Sequence, residues 1–176
     1  MKFLKYLLFT VLALVLIFFL IGFAKPAVNY GSKVTIDRPV EHVWAVSQDE
    51  DLYSEWLEGF QSMERLSGNY MEPGSTYRII VNPGDGQEDF EMIETLVSIE
   101  ENEHVEMHFD SEMMDFEQVM TFEEENGKTT VTTDSKVMGK GIFMRSMFAT
   151  MEMLGGAFTQ QEQKNMEALK ALAERS

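Results

Sequence analysis

Apolar and polar positions alternate with a period of two through the middle of the chain. In 104–111, Val105, Met107 and Phe109 share one face, and His104, Glu106, His108 and Asp110 the other. In 114–123, Met114, Phe116, Gln118, Met120 and Phe122 stand together. This pattern predicts half-buried strands. Further strands are predicted at 31–37, with Val34 and Ile36 inward, and at 60–66, 76–82, 89–100 and 129–138. The 89–100 strand is expected to bend, because its apolar positions change phase between Met92 and Ile93. Turns are predicted at Met71-Glu72-Pro73-Gly74, Pro83-Gly84-Asp85-Gly86 and Glu101-Asn102. Asn126-Gly127 is the strongest hairpin signal. Phe109, Phe116 and Met120 are expected to face the C-terminal helix, and His108 and Glu117 water.

Elsewhere the period is helical. Segment 40–48 carries Val40, Val43 and Trp44 on one side, with Pro39 in its first turn and Asp37 as the expected cap. Segment 51–57 places Leu52, Tyr53 and Trp56 together, and Gly59 ends it. A helix of up to 34 residues is predicted over 141–174. Its stripe is Phe143, Met147, Met151, Leu154 and Phe158, continued by Met166, Leu169 and Ala173. Gly155-Gly156 in its middle allows a bend. The order is strand, two short helices, about six antiparallel strands and one long helix. The fold class is therefore α+β, with a curved antiparallel sheet whose buried face is covered by the C-terminal helix.

One segment has no polar face. Residues 6–24 read YLLFTVLALVLIFFLIGFA, 19 residues without a charge. As a helix this spans roughly 28 Å, close to the hydrocarbon thickness of a bilayer. A single transmembrane anchor over 1–26 is the leading reading, with a soluble domain over 27–176. A cleaved signal peptide is the rival, and Gly22 and Ala24 supply small residues for it, although the apolar run exceeds a usual signal core. No cysteine follows, so a lipoprotein is excluded. Lys2, Lys5 and the free amine before the segment, against Lys25, Lys33 and Arg38 after it, lean towards an extracytoplasmic domain.

The 176 residues carry a formal net charge of −16, from 14 Lys+Arg and 30 Asp+Glu. Beyond residue 26 the balance is 11 bases against 30 acids, a net −19. Such a surface repels phosphate backbones and argues against nucleic-acid binding. It also repels anionic headgroups. With 44% hydrophobic residues the chain is not a disordered one. The chain has no cysteine, so thiolate nucleophiles and cysteine metal sites are excluded, and the redox compartment stays open.

No Walker loop, dinucleotide fingerprint, nucleophile elbow or zinc motif is present, and no cofactor is expected. His104 and His108 share a polar strand face without a marked third ligand and are read as surface residues, as is His42. Glu88, Asp89, Glu91 and Glu94 include room for one inward acid, whose pKa would rise and which would suit acid–base work. Gln118, Ser111, Thr133 and Ser135 are polar residues at inward positions, suited to orienting a ligand or to satisfying a neighbour. Fourteen methionines are present. Met92, Met107, Met114, Met120, Met147 and Met151 fall on predicted inward faces, where methionine serves adaptable apolar surfaces or plain core filling.

The stretch KVTIDRPVEHVWAVSQDEDLYSEWLEGFQSME resembles the opening of the SRPBCC (START/Bet v 1-like) superfamily, in its polyketide cyclase/dehydrase-like branch. The carrying tokens are the strand, the proline, Val43-Trp44, the Tyr53-x-x-Trp56-Leu57 helix and the Pro73-Gly74 turn before TYRIIV. The resemblance covers about 31–174 and implies a helix-grip fold with a hydrophobic cavity between sheet and long helix. Trp56, Tyr77, Phe109, Phe116, Gln118, Met120, Phe143, Met147 and Met151 are the expected cavity residues. The expected function is a membrane-tethered domain binding a hydrophobic small molecule or lipid. The alternatives are a cyclase, dehydratase or hydrolase using the same cavity, and an adaptor with no ligand.

Overall fold

The computed structural model describes residues 2–176 apart from Pro83, Asp85 and Gln87. The turn expected at 83–86 falls on Pro83 and Asp85, outside the described residues. An apolar helix α1 (Lys2–Ala24) leads into strand β1 (Val28–Ile36). Helix α2 (Val40–Ser47), a 3₁₀ turn (Glu50–Leu52) and helix α3 (Tyr53–Trp56) follow. Six strands come next: β2 (Phe60–Ser67), β3 (Thr76–Val81), β4 (Phe90–Glu100), β5 (His104–Asp110), β6 (Met114–Glu125) and β7 (Lys128–Gly139). Helices α4 (Ile142–Gly155) and α5 (Ala157–Arg175) close the chain.

The seven antiparallel strands form one sheet in the order β1-β7-β6-β5-β4-β3-β2. Asn126 and Gly127 have φ of 56° and 74°, the two positive values a two-residue hairpin loop needs. They start a β6–β7 ladder running from Glu125↔Lys128 to Met114↔Gly139. The predicted parity holds: Phe109 and Met120 are buried, Phe116 is half-buried and Glu117 is exposed. His108 is half-buried on the outer face. The phase change in β4 lies elsewhere than expected. Inward parity runs unbroken through Phe90, Met92, Glu94 and Leu96, and the register slips between Leu96 and Ser98, at Val97. Ile93 is half-buried on the outer face, between Arg78 and Asp110 in the ladder.

The cap of α2 also differs. Its first N–H, on Val40, donates to Glu124 Oε2 at 2.8 Å, while Asp37 pairs with Lys128 at 3.4 Å. A carboxylate from β6 therefore replaces the local one at the positive end of the helix.

The largest correction concerns the C-terminus. The single helix expected over 141–174 is two helices. Gly156 takes the left-handed conformation (φ 58°, ψ 40°) and ends α4. The Glu152 carboxylate then accepts from the N–H groups of Phe158 at 2.9 Å and Thr159 at 3.4 Å, capping α5.

Helix α5, with α2, covers the main core of the sheet. Met166, Leu169, Leu172 and Ala173 join Val34, Ile36, Trp44, Leu96, Met120 and Phe122 in the main core. Helix α4 instead uses Phe148 and Ala149 in a smaller cluster with Val28 and Val137. It also receives α1. Gly22 faces Ser146, and a Cβ at Gly22 would stand 2.5 Å from the Ser146 nitrogen, so only glycine permits that approach. The rings of Phe18 and Phe143 lie 5.8 Å apart beside it. The rest of α1, from Lys2 to Ile17, is exposed on all sides. The helix is long and apolar enough to cross a membrane, a property that a signal sequence shares.

Candidate functional site: an apolar cavity with buried carboxyl groups

Main-core packing is incomplete where α5 leaves the sheet. A cavity of about 240 Å³ remains there. Its floor is the inner face of β3 to β6: Ile79, Met92, Val105, Met107, Phe109 and Met120. One side is formed by Ser47, Tyr53, Trp56 and Leu57 from α2, α3 and the chain just beyond. The other is formed by Tyr30, Phe116 and Phe158. Phe109 and Phe116 are cross-strand partners with stacked rings 5.1 Å apart, and Tyr30 stacks on Phe116 at 6.3 Å. At the rim, Asn165 Oδ1 accepts from the Glu58 N–H at 3.2 Å, and Gln161 Nε2 donates to Glu58 Oε2 at 2.7 Å.

Five expected cavity residues meet here: Trp56, Phe109, Phe116, Gln118 and Met120. Four lie elsewhere. Tyr77 points inward but stands beyond the wall, beside a separate recess with Glu50, Arg65 and Tyr70, and its hydroxyl accepts from the Met71 N–H at 3.3 Å. Phe143, Met147 and Met151 belong to α4, which the break at Gly156 carries away from the cavity. Phe143 and Met151 are 58% and 46% exposed, and Met147 packs on the smaller cluster.

Two carboxyl groups face this apolar space. Glu94 sits between Tyr77 and Phe109 in the ladder and is 7% exposed. Burial, and then the negative charge of Glu50, push its carboxyl up to about 7. Burial, and then the Glu94 charge, hold the Tyr53 phenol well above its ordinary value. Glu162, on α5, is 8% exposed. Burial raises its carboxyl, while hydrogen bonds from Thr133 and Gln118 work against that rise. Gln118 Nε2 donates to Glu162 Oε1 and to Ser135 Oγ, both at 3.1 Å. The Trp56 indole N–H is buried and has no acceptor among the described residues. A carboxyl poised near neutrality inside an apolar cavity is able to hold or release a proton at working pH, or to accept a hydrogen bond from a guest.

The remaining polar candidates are occupied structurally. Ser111 Oγ donates to Met114 O at 3.0 Å and shapes the β5–β6 turn. Thr133 Oγ1 accepts from the Ser32 N–H at 3.1 Å. His104 Nε2 lies 2.9 Å from Ser98 Oγ on the outer face. His42, expected at the surface, is half-buried, with Nε2 3.0 Å from Ala173 O. Among the described residues no group of three His, Asp or Glu is placed to hold a metal ion.

Glu162, Tyr30 and Tyr53 were not anticipated as cavity residues. Glu162 precedes Met166 by four and Leu169 by seven, so the apolar stripe marks its face. Glu94 alternates with Met92 and Leu96, which separates it from Asp89 and Glu91, while Glu88 shares its parity but precedes the strand.

Solved structures share this architecture at low identity. A conserved protein from Geobacillus kaustophilus matches with a TM-score of 0.66 at 16% identity, over 85% of this chain and 97% of that one. Ara h 8.0201 matches with a TM-score of 0.61 at 14% identity, over 85% and 99%. The di-domain ARO/CYC BexL from the BE-7585A biosynthetic pathway matches at 0.61 and 17%, over 85% of this chain and 51% of that one. These likenesses show the fold. Comparison with curated protein sequences gives no match. The profile of one family, polyketide cyclase / dehydrase and lipid transport, matches residues 28–174. With the first strand and its helices, the antiparallel sheet and the C-terminal helix all inside the matched region, the chain belongs to that family and so to the SRPBCC superfamily.

Proposed function

We propose that residues 27–176 bind one hydrophobic small molecule or lipid in the cavity under α5, and that α1 tethers this domain to a membrane. The observation that carries the reading is the cavity: about 240 Å³, with a wall built mostly of aliphatic, methionine and aromatic side chains. A dry cavity of about 150 Å³ already takes up benzene. Burying apolar guest surface contributes about 25 cal/mol per Å², less the cost of ordering guest and wall. The family's description, which includes lipid transport, supports the same reading. An open cavity speaks against the adaptor alternative. The test is uptake of the neutral fluorescent probe N-phenyl-1-naphthylamine by the full chain. Met107→Trp, which fills the cavity, should abolish uptake. Met147→Trp, on α4, should leave it intact. The reverse pattern would place the guest beside α4.

The tether is supported by the exposed apolar surface of α1 from Phe3 to Ile17. Full-length protein should pellet with membranes and resist carbonate. A shortened soluble form in cells would support cleavage instead. The sidedness proposed is extracytoplasmic, on the lysine balance across α1.

One observation favours a second reading. Glu94, held near 7 beside Tyr53, has the properties of a general acid–base group in a cyclase or dehydratase. A turnover that is lost in Glu94→Gln while probe uptake persists would favour the enzyme over the carrier.

A further inference from the structure

We propose that the cavity selects apolar molecules that carry an amine, seats the ammonium group at Glu94, and turns away molecules of the same shape that carry a carboxylate. The inference rests on the ligand-binding reading above and adds the chemistry of the guest's head.

Three observations support it. Every charged residue of the wall is acidic: Glu58 at the rim, Glu94 and Glu162 within. Among the described residues no Lys, Arg or His lines the cavity. Lys164 stands exposed outside the rim, 3.9 Å from the Glu58 carboxylate. A carboxylate guest would thus enter with no counter-charge and against three acids, at a steep desolvation cost.

The two inner acids are not equivalent. Glu162 already accepts from Gln118 at 3.1 Å. Glu94 is 7% exposed, lines the cavity and has no hydrogen-bond or ion-pair partner among the described residues. Its oxygens are not among the fully buried atoms without a partner, so they open onto the cavity, within reach of a donor on a guest. Neither Tyr53 nor Tyr77 is hydrogen-bonded to it among the described residues, and Glu50 adds like charge. An ammonium supplies both the missing donors and the missing charge. The aromatic wall near it, Tyr53, Trp56 and Phe109, also suits a cation.

The volume limits the guest. About 240 Å³ is enough for one or two rings with a short chain and too little to enclose a whole diacyl lipid. The guest is therefore a compact aryl or alkyl amine.

The experiment uses the full chain in neutral phosphatidylcholine nanodiscs at pH 7.5, with empty nanodiscs subtracted. Calorimetric titration compares 4-phenylbutylamine, 4-phenylbutanol and 4-phenylbutyrate, which share shape and differ in the head. The expected order is amine, alcohol, acid, with the amine at least about tenfold tighter than the alcohol, the size of one charge-assisted hydrogen bond. Glu94→Gln should bring the amine down to the alcohol and leave the alcohol unchanged, so the alcohol arm also reports that the variant is folded. Glu162→Gln should keep the amine preference. Equal binding of amine and alcohol, or acid binding as tight as amine, overturns the inference while leaving the ligand-binding reading in place. Loss of the preference in Glu162→Gln but not in Glu94→Gln overturns the assignment to Glu94. Binding of none of the three overturns both readings.

Discussion

At Glu94 the parity of a strand outweighs the preference of a carboxylate for water. Its neighbours in β4, Met92 and Leu96, point inward, and position 94 has no choice but to follow them. The consequence is a stability that depends on pH. The folded-state pKa is raised from an ordinary 4.5 to about 7. The folded protein therefore binds this proton more tightly than the unfolded chain. Stability from this group is present below pH 4.5 and is lost as pH rises through 7, by about 3 kcal/mol. Glu94→Gln removes the titration. The variant should be more stable than wild type at pH 8 by on the order of 2 kcal/mol after the cost of burying an amide. The gap should shrink towards zero at pH 4.5, as read from urea denaturation at the two pH values. A gap that does not change with pH would mean that the carboxyl is hydrated. Alternation was enough to bring Phe109, Phe116, Gln118 and Met120 to one face, but it left Glu94 as one of four candidate acids, because Glu88 shares its parity. It was not enough to exclude Tyr77, which has the right parity but the wrong place along β3.

Among the elements, the C-terminal helices depart most from expectation. The apolar stripe runs from Phe143 to Phe158 and resumes at Met166 through Ala173, and periodicity alone reads it as one helix. The Gly155-Gly156 pair marks the point of change, but not its size. Gly156 turns left-handed and Glu152 folds back to cap the next helix. A Cβ at position 156 opposes that conformation, so Gly156→Ala should cost about 1 kcal/mol or more, visible as a lower melting temperature. The break frees α4 to hold α1. Gly22→Leu should separate the two helices, because the added side chain would overlap the Ser146 backbone. The chain has no cysteine, so the paired substitutions Phe18→Cys and Phe143→Cys introduce the only two thiols. A short bis-maleimide should join them in the wild-type background and fail to do so with Gly22→Leu. Equal cross-linking in both would show that the packing does not depend on glycine.

Over the whole molecule, the sheet is ordered by its ends. The first strand closes against the last, Val28↔Val137 to Ile36↔Thr129, so the best-buried ladder joins segments a hundred residues apart. At the far edge β2 has one neighbour, two register shifts and mostly exposed side chains. Opening free energies follow burial. Hydrogen exchange should therefore be fastest in β2 and slowest in β6 and β7, with the Val131 and Val137 amides among the last to exchange. Fast exchange in β7 would mean that the β1 closure is not formed in solution. Such long-range pairing, over a large acidic chain, also predicts folding on the slow side for its size.

Read along the chain alone, the strands, the faces of β5 and β6, the Asn126-Gly127 hairpin and the charge-free N-terminal helix were legible, and the opening motifs carried the family resemblance. The elements depend on local rules: a period of two or 3.6, a turn dipeptide, or a run of residues without charge. Tertiary structure alone decided that the stripe on 141–174 serves two different partners, that Glu124 and not Asp37 caps α2, and that the cavity is bounded by Tyr30, Tyr53 and Glu162. It also decided that, among the described residues, Glu94 has no hydrogen-bond partner while Glu162 does. Those outcomes depend on which segments meet across the sheet, and a side chain's polarity and spacing carry no record of what stands opposite it.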